Sequence, residues 1–173
     1  MADRNCGVFT RKDAVACGYT ERELKTLTGH RGAWVVLRRG AYVERALYDA
    51  CTDDGRYLLR VRAAAATMRR DAVMTHSSAA AALGIPLRPR WHELVHTTRP
   101  DVRGSRTENG VKHHLGSLDE RDLVVVAGLR VTGPARTGVD LGREFGFEDG
   151  VVGCDSALRL GATPADLERV LDE

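Results

Sequence analysis

At 173 residues, with 43% hydrophobic residues, 29% charged residues and a formal net charge of +2, the chain is long enough for one core, or for a core plus a satellite module of about 50 residues. This composition excludes a disordered or fibrous class, and no apolar run approaches the roughly 20 residues that cross a bilayer; with no signal-peptide stretch in Met1-Ala2-Asp3-Arg4-Asn5, a cytoplasmic protein with no membrane partner is expected. The net charge is too small to argue for nucleic acid in bulk, and Cys6, Cys17, Cys51 and Cys154 are too scattered for a zinc knuckle or a redox pair, so reduced thiols and no cofactor are expected.

The charge is unevenly distributed. Residues 1–43 hold eight Lys/Arg against four Asp/Glu, whereas residues 131–173 hold four against nine, so a basic head precedes an acidic tail. In the head, Thr10-Arg11-Lys12-Asp13 is a helix-start signature, with Thr10 capping the Asp13 amide and Phe9 stapling onto Ala14. Gly18 closes that short helix, and Tyr19-Thr20-Glu21-Arg22-Glu23-Leu24 repeats the construction, so two helices meet across a tight turn. Leu24 and Leu27 share the buried face of the second helix, which leaves Arg22, Lys25, Thr26 and Gly29 outward.

Gly32 to Val43 is rich in β-formers around Arg38-Arg39-Gly40 and predicts a hairpin with both arginines at its tip. Helix, turn, helix and hairpin within about 35 residues is the layout of a winged helix-turn-helix, whose second helix enters the major groove while the hairpin rests on flanking DNA. The residues expected to touch double-stranded DNA are Arg11, Lys12, Thr20, Arg22, Lys25, Thr26, Arg31, Arg38 and Arg39. An ordinary subdomain with solvated arginines is the competing reading of the same pattern.

Residues 44–54 look like a connector, and the apolar spacing predicts an amphipathic helix over 56–70 that opens the second domain; the expected domains are 1–48 and 49–173. A short strand at 72–75 leads into an alanine-rich helix that stops at Gly84. Strands follow at 93–98, 111–115, 123–126 and 129–132, around a polar loop at 99–110 expected to be solvated or to make a second nucleic-acid contact. Pro134 starts a helix on which Arg136 and Asp140 pair. Two more helices close the chain, one with Val151, Cys154 and Leu158 on a face and one capped by Thr163. The expected fold is α+β: a winged helix-turn-helix, then a mixed α/β domain with a small, largely antiparallel sheet and C-terminal helices that binds a protein partner.

The segments Gly7–Ala14, Arg38–Tyr42, Asp71–His76 and Val131–Leu141, in this order and spacing, resemble the AbiEi-type antitoxin family of toxin-antitoxin systems, over residues 7 to about 160. The resemblance implies a transcriptional regulator that binds operator DNA and represses its own operon. It also implies a larger domain that counteracts, directly or indirectly, a nucleotidyltransferase-like toxin, in systems implicated in phage defence. Many relatives carry a further helix before the first capped one, where this sequence has Met1 to Gly7, and many continue into a nuclease domain whose active site none of these residues supplies. The alternative to a DNA-binding regulator is a protein-binding module that does not touch DNA.

No enzyme is expected. Gly133 to Gly138 has phosphate-loop spacing, but Val139 and Asp140 stand where Lys and Ser/Thr are needed. His76 beside Ser77 and Ser78 favours helix capping over hydrolysis. His92, His96, His113 and His114 are expected to be polar surface histidines rather than metal ligands.

Overall fold

A computed structural model of the chain describes residues 6–68, 72–100 and 104–173. Its contacts divide it into two compact units, Met1–Arg70 and Asp71–Glu173.

The first unit runs β1 (Phe9–Thr10), α1 (Arg11–Ala16), α2 (Glu21–Leu27), β2 (Trp34–Arg38), β3 (Ala41–Glu44), α3 (Arg45–Ala50) and α4 (Asp53–Thr67). Both short helices begin with the expected capping boxes. The Asp13 amide donates to Thr10 Oγ1 at 3.2 Å while the Thr10 amide donates to the Asp13 carboxylate at 2.8 Å, and Thr20 and Glu23 repeat the exchange at 3.3 and 2.8 Å. Each cap is worth about 1 kcal/mol, which matters for helices of six and seven residues that could not persist alone. Gly18, at φ +93°, turns the chain after α1.

The three strands form an antiparallel sheet in the order β1-β3-β2. Ala14, Leu24 and Trp34 make one buried cluster with Phe9 and Leu27 against it, and the Phe9 and Tyr19 rings meet Trp34 edge-on at 4.7 and 4.9 Å. Val8, Ala41 and Val43 make a second cluster with Leu59 and Ala63 of α4.

That second cluster moves the expected domain boundary. The helix assigned to the opening of the second domain packs on the first sheet instead, so the first unit extends past residue 48 to Arg70. The physical reason is the sheet itself: three short strands must bury a face, and α4 is the element that covers it. Helical periodicity showed that α4 has an apolar side but not what that side would meet. The expected connector also contains a helix, α3.

The second unit runs β4 (Val73–Met74), α5 (His76–Leu83), β5 (Val95–Arg99), β6 (Arg106–Glu108), β7 (Val111–Leu115), β8 (Leu123–Val126), β9 (Leu129–Thr132), α6 (Pro134–Phe145), α7 (Phe147–Arg159) and α8 (Pro164–Leu171). The sheet order is β6-β7-β5-β4-β9-β8. The pairs β4/β5, β6/β7 and β8/β9 are antiparallel, while β5/β7 and β4/β9 are parallel, so the sheet is more mixed than expected. One cause is β6, which forms inside the segment expected to be a solvated loop and lets the chain re-enter beside β5 in the same direction; residues 101–103 of that loop lie outside the described residues.

Helices α6 and α7 approach through glycines. A Cβ on Gly142 would lie 3.0 Å from the Gly150 Cα, and one on Gly138 would lie 2.9 Å from the Cys154 backbone nitrogen. This contact corrects the face expected of α7: Gly153, Ser156 and Ala157 are buried, while Val151 and Leu158 are exposed. Small residues carry no hydrophobic signal in a periodicity count, yet they set the distance of closest approach. Arg136 donates to Asp140 at 2.9 Å as expected.

The histidines also depart from expectation. His96 and His113 are buried because β5 and β7 lie inside the sheet, each with a strand on both sides. His76 does not cap α5; Thr75 precedes the helix, and the His76 ring lies 2.9 Å (Nδ1 to Oγ1) from the Thr75 hydroxyl.

Candidate nucleic-acid interface

The nine residues expected to contact DNA all lie in the first unit, and they fall into three groups. Arg22, Lys25 and Thr26 are exposed on α2, whose opposite side is anchored by buried Leu24. The Thr26 hydroxyl donates to the Arg22 carbonyl at 3.1 Å, which keeps it on the helix surface. Lys12 on α1, Arg31 in the turn before β2, and Arg39 in the hairpin turn are exposed as well. Among the described residues, none of Lys12, Arg22, Lys25, Arg31 and Arg39 has an ion-pair partner.

The second group is engaged locally. Arg11 forms an ion pair with Glu21, its Nε donating to Oε1 at 3.1 Å, and that carboxylate holds the guanidinium pKa up. Thr20 is committed to its capping box, where bonds from the Thr20 backbone and side chain hold the Glu23 carboxyl pKa down. Arg11 therefore presents a compensated charge, and Thr20 an occupied hydroxyl.

Arg38 stands alone and corrects the hairpin as read from sequence. It is the last residue of β2 rather than part of the tip, it is half-buried, and burial pulls its pKa down. One guanidinium nitrogen is buried with no hydrogen-bond partner among the described residues. The turn itself is Arg39-Gly40, with Gly40 at φ +80° and a register shift between Val36 and Arg38. The register shift falls just before Arg38, which pairs with Ala41 across the turn.

The acids nearest α1 and α2 among the described residues are committed elsewhere. Asp13 and Glu23 close capping boxes and Glu21 neutralises Arg11, so three of the carboxylates nearest α1 and α2 are spent on helix starts or on one arginine. What remains is a set of cations without an ion-pair partner among the described residues, on α1, α2 and the turns at either end of β2, at side chains long enough to follow a phosphate backbone. The pairing of Arg11 with Glu21, ten residues away, has no periodic signature and was not legible in the sequence.

Comparison with protein-family models and with curated proteins returns no match.

Proposed function

We propose that the chain is a DNA-binding transcriptional regulator that reads double-stranded operator DNA with α2 and braces on the backbone with the β2–β3 turn, as a winged helix-turn-helix. The observation that carries this reading is the exposed set Lys12, Arg22, Lys25, Arg31 and Arg39, none of which has an ion-pair partner among the described residues. The arrangement of elements agrees with it: a strand, two capped helices and a hairpin on one three-stranded sheet. Together with the resemblance to AbiEi-type antitoxins, it supports repression of the protein's own operon.

The test is binding to the duplex upstream of its own gene, measured against a random duplex at several salt concentrations. The Arg22→Ala/Lys25→Ala double variant should lower the salt slope by about 1.8 if both side chains neutralise phosphates, and should weaken operator binding at least about tenfold. Unchanged binding in that variant overturns α2 as the reading helix, and no binding at low salt overturns the DNA reading.

A second reading concerns the partner. Phe147 is 86% exposed, and with Leu171, 62% exposed, it borders an apolar groove of about 370 Å³ that Val139, Gly142 and Cys154 also line. An apolar surface of this kind fits a protein-binding role for the second unit, and the nucleotidyltransferase-like toxin implied by the family resemblance is the partner to try first. Co-purification with the product of the adjacent gene, lost on Phe147→Asp, tests it.

A further inference from the structure

Three histidines from three separate elements of the second unit converge. His76 is the first residue of α5, His96 lies on β5 and His114 on β7. In the parallel β5/β7 pair His96 stands opposite Lys112 and Thr98 opposite His114, so alternation along the strands puts His96 and His114 on one face and His113 on the other. His96 Nδ1 and His114 Nε2 are 3.0 Å apart, and the His76 ring stacks on that of His114 with centroids 3.9 Å apart and planes 14° from parallel. One ring nitrogen from each histidine lies within 4.8 Å of the other two. His76 and His96 are buried and His114 is half-buried.

We propose that His76, His96 and His114 bind a single divalent transition-metal ion of the zinc class, with a water or a small anion completing the coordination. Zinc–imidazole bonds of about 2.0–2.1 Å place three tetrahedral nitrogens about 3.3 Å apart. The His96–His114 pair is already near that spacing, and side-chain rotation of His76 closes the rest. Three imidazoles without a thiolate or carboxylate suit zinc, copper or nickel and are poor donors for magnesium or calcium.

The surroundings agree with the donor set. A ligand imidazole must be neutral, and burial, followed by the neighbouring histidines and Lys112, lowers the pKa of His76 and His96, that of His96 to about 3; burial lowers that of His114 as well. Lys112, the nearby cation, is held at 2.5 Å by Glu144. In the tautomer that donates Nδ1–H to the Thr75 hydroxyl, His76 turns its Nε2 lone pair outward, the arrangement by which outer partners orient metal-bound histidines. Thr75 is fixed in turn by a hydrogen bond from Thr98 at 3.1 Å. His76 holds φ at +51°, a left-handed backbone that a non-glycine residue keeps only where its surroundings impose it.

The test uses the full chain, stripped with a chelator, titrated with Zn²⁺ by calorimetry and with Co²⁺ by visible absorption. One equivalent should bind, with the intense d–d bands of four-coordinate cobalt. His76→Ala, His96→Gln and His114→Ala should each weaken binding about 100-fold or more, Thr75→Val about tenfold, and His113→Ala should leave it unchanged. Absence of saturable binding overturns the site, as does binding that survives all three ligand substitutions. Should a variant fail to fold, the imidazole NMR signals of the wild-type chain decide: the signals of these three histidines must shift together on adding Zn²⁺, and an unchanged spectrum overturns the proposal.

Discussion

The two units use arginine in opposite ways. In the first, Arg22, Arg31 and Arg39 stand exposed, while near α1 and α2 Asp13 and Glu23 close helix caps and Glu21 holds Arg11. In the second, arginines are drawn to buried carboxylates: Arg88 and Arg90 to Asp149, Arg136 to Asp140, and Arg169 to Asp122 at 2.5 Å. Composition cannot separate these uses, since both halves are arginine-rich. The location of the acids decides. A carboxylate three residues into a helix is consumed by its own backbone, whereas Asp149 and Asp122, folded into a core, take their cations from far along the chain, and Asp140 takes Arg136 from its own helix.

The contrast breaks most readily at Asp149. Its side chain is fully buried, accepts from Trp91 Nε1 at 2.7 Å and lies 3.3 Å from Arg88. Asp149→Ala leaves an indole N–H without its acceptor, Arg90 without its carboxylate and Arg88 with only the more distant Glu148 at 3.9 Å, and should cost about 3–5 kcal/mol. Chemical denaturation followed by hydrogen exchange should locate the loss in the second unit and leave α1 and α2 protected as before. A cost under about 1 kcal/mol would mean that these arginines are decoration on the fold.

A smaller effect comes from Asp140. Burial raises its pKa despite Arg136 and Arg143 on the same helix, and its Oδ2 is buried without a partner among the described residues. A carboxyl group whose folded pKa is raised binds more protons folded than unfolded. Its contribution to stability is therefore greatest below the unfolded value of about 3.9 and is lost as pH rises through the folded pKa. Asp140→Asn removes that dependence. The stability of the variant relative to wild type should rise between about pH 4 and neutrality, a difference that cancels every other titrating group. A relative stability that falls over this range would show that the pair with Arg136 outweighs burial.

Much of this fold was legible in the sequence because its signals are local. The boxes Thr10/Asp13, Thr20/Glu23 and Thr163/Asp166, the αL glycine at position 84, and Pro134 at the start of α6 each announce themselves within four residues. Misplaced features depend on partners distant in sequence. The docking of α4 on the first sheet, the burial of His96 and His113, and the glycine contact of α6 with α7 are decided by what each element meets. The proposed interface divides the same way. The outward face of α2 follows from helical period, whereas the pairing of Arg11 with Glu21 and the partial burial of Arg38 follow from tertiary placement. The proposed metal site was not legible: His96 and His114 read as surface histidines, and His76 arrives from a helix 20 residues before His96.

The finest distinction lies between the adjacent arginines of the hairpin. Arg39 is exposed in the turn and Arg38 is half-buried at the end of β2, so one substitution at each separates binding from folding. Arg39→Ala should leave stability within about 0.5 kcal/mol, because it removes an exposed side chain with no ion-pair partner among the described residues, and should lower the salt slope of DNA binding by about 0.9 if the turn rests on a phosphate. Arg38→Ala should change stability instead and leave the salt slope where it was. Two salt titrations and two denaturation curves are sufficient. Equal slope losses would place both guanidinium groups on the duplex, which requires Arg38 to leave its half-buried position when DNA binds, and would make the hairpin an adaptable contact rather than a preformed one.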